Sequence, residues 1–353
     1  MSKVKNKDIF LDITDDMLHP VNVLFGGRGI GKTFSVLKYR VIDAYNDESD
    51  RSKFIWLRDS EVVIKKIAAG NSLTKPIEKI NHDFPHVEIR KLEGNYVFCT
   101  VDDTGAIDRV LGYLMALSTF HNARGINYDD VKCIVWDEFI PENGAVIKNA
   151  SLQGSIYENM YESVNRNREI ATEEHEAEAP VTMIFLSNTN DIFSDVLQAL
   201  GLDKIIEHMH FNDLKQYIDD DVWIEFFSNK AFYDAKKDTL LYRLNNNPKF
   251  ANMALNNSFN NSMALIKPDL KLNGSIGLIN LDSKYVLLQL KDGSLYWKVG
   301  NHKKLQNYDM NNDQEALLFR YLFTDKLRVQ YIAGNMFFDS IYTQKNILDY
   351  ARM

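Results

Sequence analysis

A glycine-rich stretch near the start of the chain has the residue types and the spacing needed to hold a phosphate group. It fits the pattern G-x-x-x-x-G-K-[ST]. The stretch consists of Gly26, Gly27, Arg28, Gly29, Ile30, Gly31, Lys32 and Thr33. Glycines let the backbone approach a ligand without a Cβ clash, and Lys32 would neutralise the β- and γ-phosphates while the Thr33 hydroxyl held Mg²⁺. The stretch therefore predicts a loop that binds a nucleoside triphosphate.

The segments on either side of this loop are those that phosphate binding requires. Residues 21–25 form a short apolar run suited to a buried parallel strand, and residues 34–45 carry apolar side chains at helical spacing. A loop between a strand and a helix directs backbone N–H groups and the positive end of the helix dipole towards an anion. The context therefore favours a nucleotide site over a chance glycine-rich turn.

Two adjacent carboxylates form the second chemical group. Asp137 and Glu138 end the run of residues 133–138, whose first four residues are apolar, in the Asp-Glu form of a Walker B strand. In this arrangement Asp137 supports Mg²⁺ together with Thr33. Glu138 would polarise a water molecule for attack on the γ-phosphate. The pair predicts hydrolysis as well as binding of ATP.

Three further polar residues are candidates for catalysis. Asn188 follows the apolar run of residues 181–187, where a side chain could sense the γ-phosphate, although an asparagine in a simple turn would look the same. Arg166 and Arg168 follow an amphipathic helix, predicted at residues 156–164. A guanidinium from one subunit can complete the site of its neighbour, but basic residues also suit a solvated helix end. The sequence leaves both readings open.

Other nucleotide-binding classes fit less well. A GTPase needs an Asn-Lys-x-Asp guanine reader, whereas Asn229 and Lys230 are followed by Ala231 and Phe232. Small-molecule kinases usually lack the Asp-Glu pair. The motifs therefore favour an ATPase with an additional strand and a catalytic glutamate, the class that contains ring-shaped translocases.

Composition sets broader limits. The 353 residues favour two domains, and 45% hydrophobic content with few prolines fits globular folding. No apolar run approaches the ~18–20 residues of a membrane span, and the first residues lack the apolar segment of a signal peptide. The net charge of −8 argues against a free nucleic-acid binder but allows a local basic groove.

The order of elements predicts an α/β fold, namely a P-loop NTPase with a mostly parallel sheet. Apolar strand-like runs at residues 22–25, 54–58, 132–137 and 181–187 alternate with helical stretches. Residues 86–101 are expected to form an antiparallel hairpin around Glu93-Gly94-Asn95. Residues 110–118 fit a strand or a short helix.

Three segments follow from this pattern. Residues 1–212 are predicted as the P-loop ATPase domain, and residues 213–260, which are rich in asparagine, as a helical linker. Residues 261–353 are predicted as a smaller C-terminal α+β domain. In it, strands at residues 275–299 form a meander and helices cover residues 313–323 and 329–350.

The order and spacing of these motifs resemble the DNA-packaging ATPases of phi29-like tailed phages. The resemblance rests on the glycine-rich loop, Phe-Ile-Trp-Leu-Arg, Ile-Val-Trp-Asp-Glu-Phe-Ile, Asn-Arg-Asn-Arg-Glu and Leu-Ser-Asn, between about residues 20 and 190. It implies that Arg166, with Arg168 as second choice, is the trans-acting arginine. It also implies that Arg58, at the end of the second strand, acts near the nucleotide.

The resemblance further implies a homo-oligomeric, usually pentameric ring at the portal of an empty prohead. Such a ring drives double-stranded DNA inward using ATP and Mg²⁺, in the host cytoplasm and in some cases with a packaging RNA. Its C-terminal domain would be a vestigial, RNase H-like nuclease fold, and we expect no nuclease activity. The alternatives are a terminase-type large subunit with an active nuclease and a nucleotide-gated DNA-binding switch.

Overall fold

The computed structural model of the chain describes residues 10–47, 49, 51–69, 86–123, 128–140, 153–173, 176–188, 194–237, 239–240 and 265–352. The chain divides into two compact units, Met1–Asn260 and Asn261–Met353. Within the ranges just given, no helix is both long and apolar enough to cross a bilayer.

The first unit is built on one sheet with nine described strands. They are β1 (Val21–Gly26), β2 (Lys53–Arg58), β3 (Val87–Leu92), β4 (Asn95–Val101), β5 (Ile107–Ala116), β6 (Val131–Asp137), β7 (Thr182–Ser187), β8 (Gln216–Ile218) and β9 (Val222–Phe227). Their order is β3-β4-β5-β2-β6-β7-β1-β9-β8. The six central strands run parallel, β4 and β8 run antiparallel to them, and β3 pairs antiparallel with β4 at the outer edge. The predicted, mostly parallel α/β sheet is confirmed.

Strands β1, β2, β6 and β7 are buried on both faces, which explains their nearly continuous apolar sequences. In β1, the side chains of Val23, Leu24 and Phe25 are fully buried, and Leu37 and Val41 of the following helix pack into the same unit's core. The described helices of this unit are α1 (Lys32–Asn46), α2 (Glu61–Ala68), α3 (Gln153–Asn165), α4 (Asp195–Ala199), α5 (Asp203–Phe211) and α6 (Lys230–Lys237). Short 3-10 helices lie at Asp15–Met17 and Leu117–Ala123.

The pairing at this edge of the sheet bears on one expectation from the sequence and on one point that the sequence left open. The expected hairpin is present as β3 and β4, with Glu93 and Gly94 of the turn both in the left-handed region. The ambiguous segment that follows it is a strand, because β5 pairs with β4 on one side and with β2 on the other.

The segment predicted as a helical linker, residues 213–260, is different in the part that the structure describes. It contributes β8 and β9, and β9 pairs along its whole length with β1. The apolar run Val222–Phe227 can bury both faces only inside a sheet, which is why it joins the first unit instead of leading away from it.

The second unit contains a five-stranded sheet of order β13-β10-β11-β12-β14. Its strands are β10 (Ile276–Leu281), β11 (Tyr285–Gln289), β12 (Leu295–Val299), β13 (Asn307–Tyr308) and β14 (Met336–Phe338), and its described helices are α7 (Asp313–Ile332) and α8 (Ile341–Ala351). The predicted meander is present. The helix expected over residues 329–350 is interrupted, because Gly334 at φ 74° ends α7 and β14 then pairs with β12.

Candidate functional site

The glycine-rich loop connects β1 to α1 at the carboxyl edge of the sheet. Gly31 adopts φ 105° directly before α1, a conformation that residues with a Cβ rarely adopt. A Cβ added at Gly26 would lie 3.2 Å from Ile30 Cγ2 and 3.3 Å from Lys32 Cδ. Glycine at these two positions therefore lets the loop turn tightly around its own lysine.

Lys32 is buried and directed back into the loop. Its Nζ donates to the carbonyl oxygen of Gly26 at 2.5 Å and lies 3.4 Å from that of Gly27. It also lies 3.4 Å from Asn188 Oδ1, which comes from the end of β7. Burial lowers the pKa of Lys32 to about 8, although the carboxylates of Asp137 and Glu138 oppose this shift.

The acidic pair meets this loop across the sheet. The Thr33 hydroxyl donates to Asp137 Oδ1 at 3.0 Å, which joins residues 104 positions apart in the chain. Strand β7 lies between β1 and β6, so Asn188 lies at the end of the strand that separates the two motifs. Burial raises the pKa of Asp137, and the Arg58 guanidinium opposes that shift.

Arg58 binds both carboxylates of the pair. Its Nη1 donates to Asp137 Oδ2 at 2.6 Å, and its Nη2 donates to Glu138 Oε2. The Asp137 carboxyl is almost fully buried, whereas 51% of the Glu138 side chain is exposed. The two acids therefore share one cation but differ in their access to water.

The backbone at Glu138 is left-handed, with φ 57°. The turn is held by the next residue, because Phe139 N donates to the Leu186 carbonyl at 3.2 Å. The ring of Phe139 is buried against those of Phe185, at 5.3 Å, and Trp136, at 6.3 Å. This aromatic cluster fixes the point at which the chain leaves β6.

Asp59 was not predicted from the sequence, yet it belongs to this site. Its Oδ1 accepts hydrogen bonds from Trp136 Nε1 at 3.3 Å and from Gln153 Nε2 at 3.2 Å. It thereby links the end of β2 to β6 and to the first residue of α3. Burial raises the pKa of Asp59 to about 6, with Arg58 acting against the shift. Its only signal in the sequence is its position directly after Arg58.

The two candidate arginines lie elsewhere. Both arginines interact with Asp129, which lies just before the start of β6. Asp137 lies at the other end of β6, roughly 20 Å away at about 3.3 Å per residue. Arg168 is buried and donates to the carbonyl of Asp129 at 2.9 Å. Arg166 is 46% exposed and its Nη1 lies 3.3 Å from Asp129 Oδ1. Neither arginine therefore reaches the phosphate-binding loop of its own chain.

The site offers the kind of ligands that a hard divalent cation prefers. The Thr33 hydroxyl and the Asp137 carboxylate are both oxygen donors, and Mg²⁺ commonly uses only one or two protein ligands beside phosphate and water. Across the described part of the chain, three or more His, Cys, Asp or Glu side chains are nowhere grouped as metal ligands. These residues fit Mg²⁺ better than a metal that needs a full protein cage.

In the second unit, the carboxylates of Asp282 and Asp339 accept hydrogen bonds from the backbone. Asp282 Oδ1 accepts from Met310 N at 2.6 Å, and Asp339 Oδ2 accepts from Val299 N at 2.7 Å. Asp282 follows β10, and Asp339 lies between β14 and α8. Each carboxylate therefore has a structural contact, and the absence of nuclease activity stays a prediction.

A parallel sheet with a glycine-rich loop after one strand, and an acidic pair ending a strand two places away, defines the P-loop ATPase class of fold. Within that class, the chain belongs to the Podovirus DNA encapsidation protein (Gp16) family, whose model matches residues 9–271. The resemblance seen in the sequence is thereby confirmed.

Individual relatives agree with this assignment. The chain is 28% identical to the DNA packaging protein of Bacillus phage B103 over 243 residues, which cover 68% of this chain and 64% of the relative. It is 25% identical to that of Bacillus phage phi29 over 243 residues, covering 68% of this chain and 62% of the relative. The match thus spans slightly less than two thirds of these relatives.

Two solved structures share the fold over nearly the full chain. The Phi-28 gp11 DNA packaging motor is 19% identical, with a TM-score of 0.55, and the match covers 96% of this chain and 95% of that one. The bacteriophage phi29 viral genome packaging motor assembly is 18% identical, with a TM-score of 0.55 and 95% of each chain covered.

The raised pKa of Asp59 predicts a pH-dependent stability. Between about pH 4 and pH 6, the unfolded chain ionises this carboxyl before the folded chain does, so the folded state binds more protons and its stability falls as the pH rises. The substitution Asp59→Asn removes this loss of stability with rising pH, and the amide oxygen can still accept both hydrogen bonds. We expect its free energy of unfolding to exceed that of the parent by up to about 3 kcal/mol at pH 7 and to match it near pH 4.

Denaturant unfolding at both pH values measures this difference. Asp103→Asn, at an exposed turn position, controls for the removal of one negative charge. A difference between the Asp59→Asn variant and the parent that stayed the same from pH 4 to pH 7 would contradict the assignment.

Proposed function

We propose that this chain is the ATPase subunit of a motor that packages double-stranded DNA into a preformed prohead. The observation that carries the proposal is the meeting of Lys32, Thr33 and Asp137 at one edge of the sheet, in a member of a DNA encapsidation family. The relatives from phages B103 and phi29 are DNA packaging proteins, which supports DNA as the substrate of this chain.

The polyphosphate of ATP would bind along residues 26–33. Lys32 supplies a cation, which is protonated in most molecules at pH 7 because its pKa is about 8. The loop backbone supplies N–H groups at the start of α1, where the helix dipole adds a favourable potential. Arg28 is exposed at the tip of the loop, where its charge adds to that potential.

Thr33 and Asp137 would hold Mg²⁺. The ion would offset the negative charge of the phosphate oxygens and orient them for in-line attack. Asp137 suits this role because its carboxyl is buried beside the loop, so it faces the nucleotide and not bulk water. The existing hydrogen bond between Thr33 and Asp137 keeps the two oxygen donors within reach of one ion.

Glu138 would act as the general base that activates the attacking water. The hydrogen bond from Arg58 Nη2 to Glu138 Oε2 holds the carboxylate against the guanidinium. The contact of Arg58 with Glu138 would therefore have to open before Glu138 accepts a proton. Asn188, close to Lys32, would contact the γ-phosphate or the water as the reaction proceeds.

Arg166 would act on the nucleotide of a neighbouring subunit. It is exposed and lies at the end of β6 opposite to its own chain's site, so a head-to-tail contact could bring it to the next subunit. Arg168 is buried against backbone carbonyls, which favours a structural role for it. We propose a homo-oligomeric ring, a pentamer by resemblance to the family, at the portal of the prohead in the host cytoplasm. A packaging RNA could join this assembly.

Replacing the proposed base tests the enzymatic part of this proposal. We expect Glu138→Gln to reduce ATP turnover by about 10²-fold or more, the usual contribution of a general base, while ATP binding persists. Phosphate release with and without double-stranded DNA and proheads, together with ATP affinity, measures both effects. DNA and proheads should stimulate the parent.

The matched control is Glu158→Gln, which removes the same group from α3 at an exposed position. Turnover that DNA and proheads do not stimulate would favour a nucleotide-gated switch over a motor. Full turnover by Glu138→Gln would remove this residue from the mechanism.

Mixed assemblies test the arginine in trans. Lys32→Ala and Arg166→Ala subunits should each be inactive alone, the second because arginine fingers contribute ~10³–10⁵ in rate. In a random equal mixture, about a quarter of head-to-tail interfaces combine an intact loop with an intact arginine. We therefore expect the mixture to recover activity in proportion to those interfaces.

Arg90→Ala provides the control, because Arg90 is similarly exposed and also ion-paired. Ring assembly is checked by mass measurement in each mixture. Assembled mixtures that stayed inactive would argue against action in trans.

A further inference from the structure

Helix α6 reaches the phosphate-binding loop from a distant part of the sequence. In the sheet, β9 runs alongside β1 with Phe227 opposite Gly26, so both strands end at the same level. The chain then turns through Asn229, whose Oδ1 accepts from Phe232 N at 3.1 Å, and enters α6. The helix therefore begins beside the loop of residues 26–33.

Two side chains of α6 contact the tip of that loop. Lys236 Nζ donates a hydrogen bond to the carbonyl oxygen of Arg28. A Cβ placed on Gly29 would lie 3.7 Å from Lys236 Nζ and 3.8 Å from Phe232 Cζ. The Lys236 ammonium also lies 4.8 Å from the centroid of the Phe232 ring, which holds it over that face.

This lysine adds to a concentration of positive charge at the loop. The pKa of Lys236 is lowered by burial and then by the charge of Arg28. The charge of Lys236 in turn contributes to the lowered pKa of Lys32. Three cations, Arg28, Lys32 and Lys236, therefore repel one another around one glycine-rich turn, and an anion bound there would relieve this repulsion.

We infer that Lys236 is a second phosphate-binding lysine, which contacts the polyphosphate of the nucleotide held by residues 26–33. A phosphate oxygen is a stronger acceptor for an ammonium group than a neutral carbonyl is, and the flexible lysine stem allows Nζ to move from one to the other. Gly29, which has no side chain, leaves the space above the tip open to this movement. The inference rests on the proposed nucleotide binding.

The alternative is that Lys236 only braces the loop through Arg28. Both readings predict some loss when the charge is removed, so the test must separate phosphate affinity from loop stability. Three substitutions do this in the full-length chain: Lys236→Met, Lys236→Arg and, as a matched control on the same helix, Lys230→Met, whose side chain is exposed.

Calorimetric titration with MgATP and with inorganic tripolyphosphate measures the affinity. For Lys236→Met we expect both ligands to bind about tenfold more weakly, the usual effect of losing a charged hydrogen bond, with the melting temperature of the ligand-free protein unchanged. Lys236→Arg should restore most of the affinity, and Lys230→Met should bind as the parent does. The affinity of Lys236→Met should also depend less steeply on salt concentration.

Unchanged affinity of Lys236→Met for both ligands would overturn the inference. A lower melting temperature together with no rescue by Lys236→Arg would also overturn it, in favour of a brace. Failure of the proposed function has a different signature, namely a parent protein that binds neither ligand, or a Lys32→Ala variant that binds both normally.

Discussion

The hydrogen bond between the Thr33 hydroxyl and the Asp137 carboxylate is the contact on which the whole site depends. It joins the first turn of α1 to the end of β6 across the intervening strand β7. Parallel strands make this possible, because their carboxyl ends lie along one edge and present the residues that follow them to a common space. The outer strands β3, β4 and β8 lie outside the central group, and none of the site residues described above comes from them.

Burial gives this edge its electrostatic character. Lys32 and Asp137 are both removed from water, and burial moves the pKa of each towards the neutral form. Their mutual attraction opposes the shift of both pKa values, and the guanidinium of Arg58 opposes that of Asp137. The charged form of Lys32 is therefore favoured by Asp137, and the charged form of Asp137 is favoured by Lys32 and Arg58.

Local sequence patterns were sufficient for the phosphate loop, Asp137 and Glu138, because each lies directly after a strand whose apolar run is unmistakable. The structure brings Lys32, Thr33, Asp137, Glu138, Asn188 and Arg58 together, and their roles stay predictions. Arg58 was expected near the nucleotide only from the resemblance to the packaging ATPases. Arg166 and Arg168 could not be separated from sequence, because their difference lies in burial against Asp129. The strand β9 was missed because the asparagine-rich residues after it suggested a linker.

No sequence motif predicts the contacts between elements that lie far apart in the chain. Lys236 lies 208 positions from Arg28, and only the pairing of β9 with β1 places it at the loop. Asp59 is similar, since its partners Trp136 and Gln153 come from two other elements. Such residues can be identified only after the order of strands is known, because their types and spacing carry no signature.

The left-handed backbone at Glu138 has a consequence for how the carboxylate is aimed. A residue with a Cβ adopts this conformation only when its surroundings impose it, at about 1 kcal/mol or more. The imposing group here is Phe139, wedged among the rings of Trp136 and Phe185. The packing of the aromatic rings in the core thus sets the orientation of the half-exposed Glu138 carboxylate. A cavity among those rings would change this orientation while leaving every polar group intact.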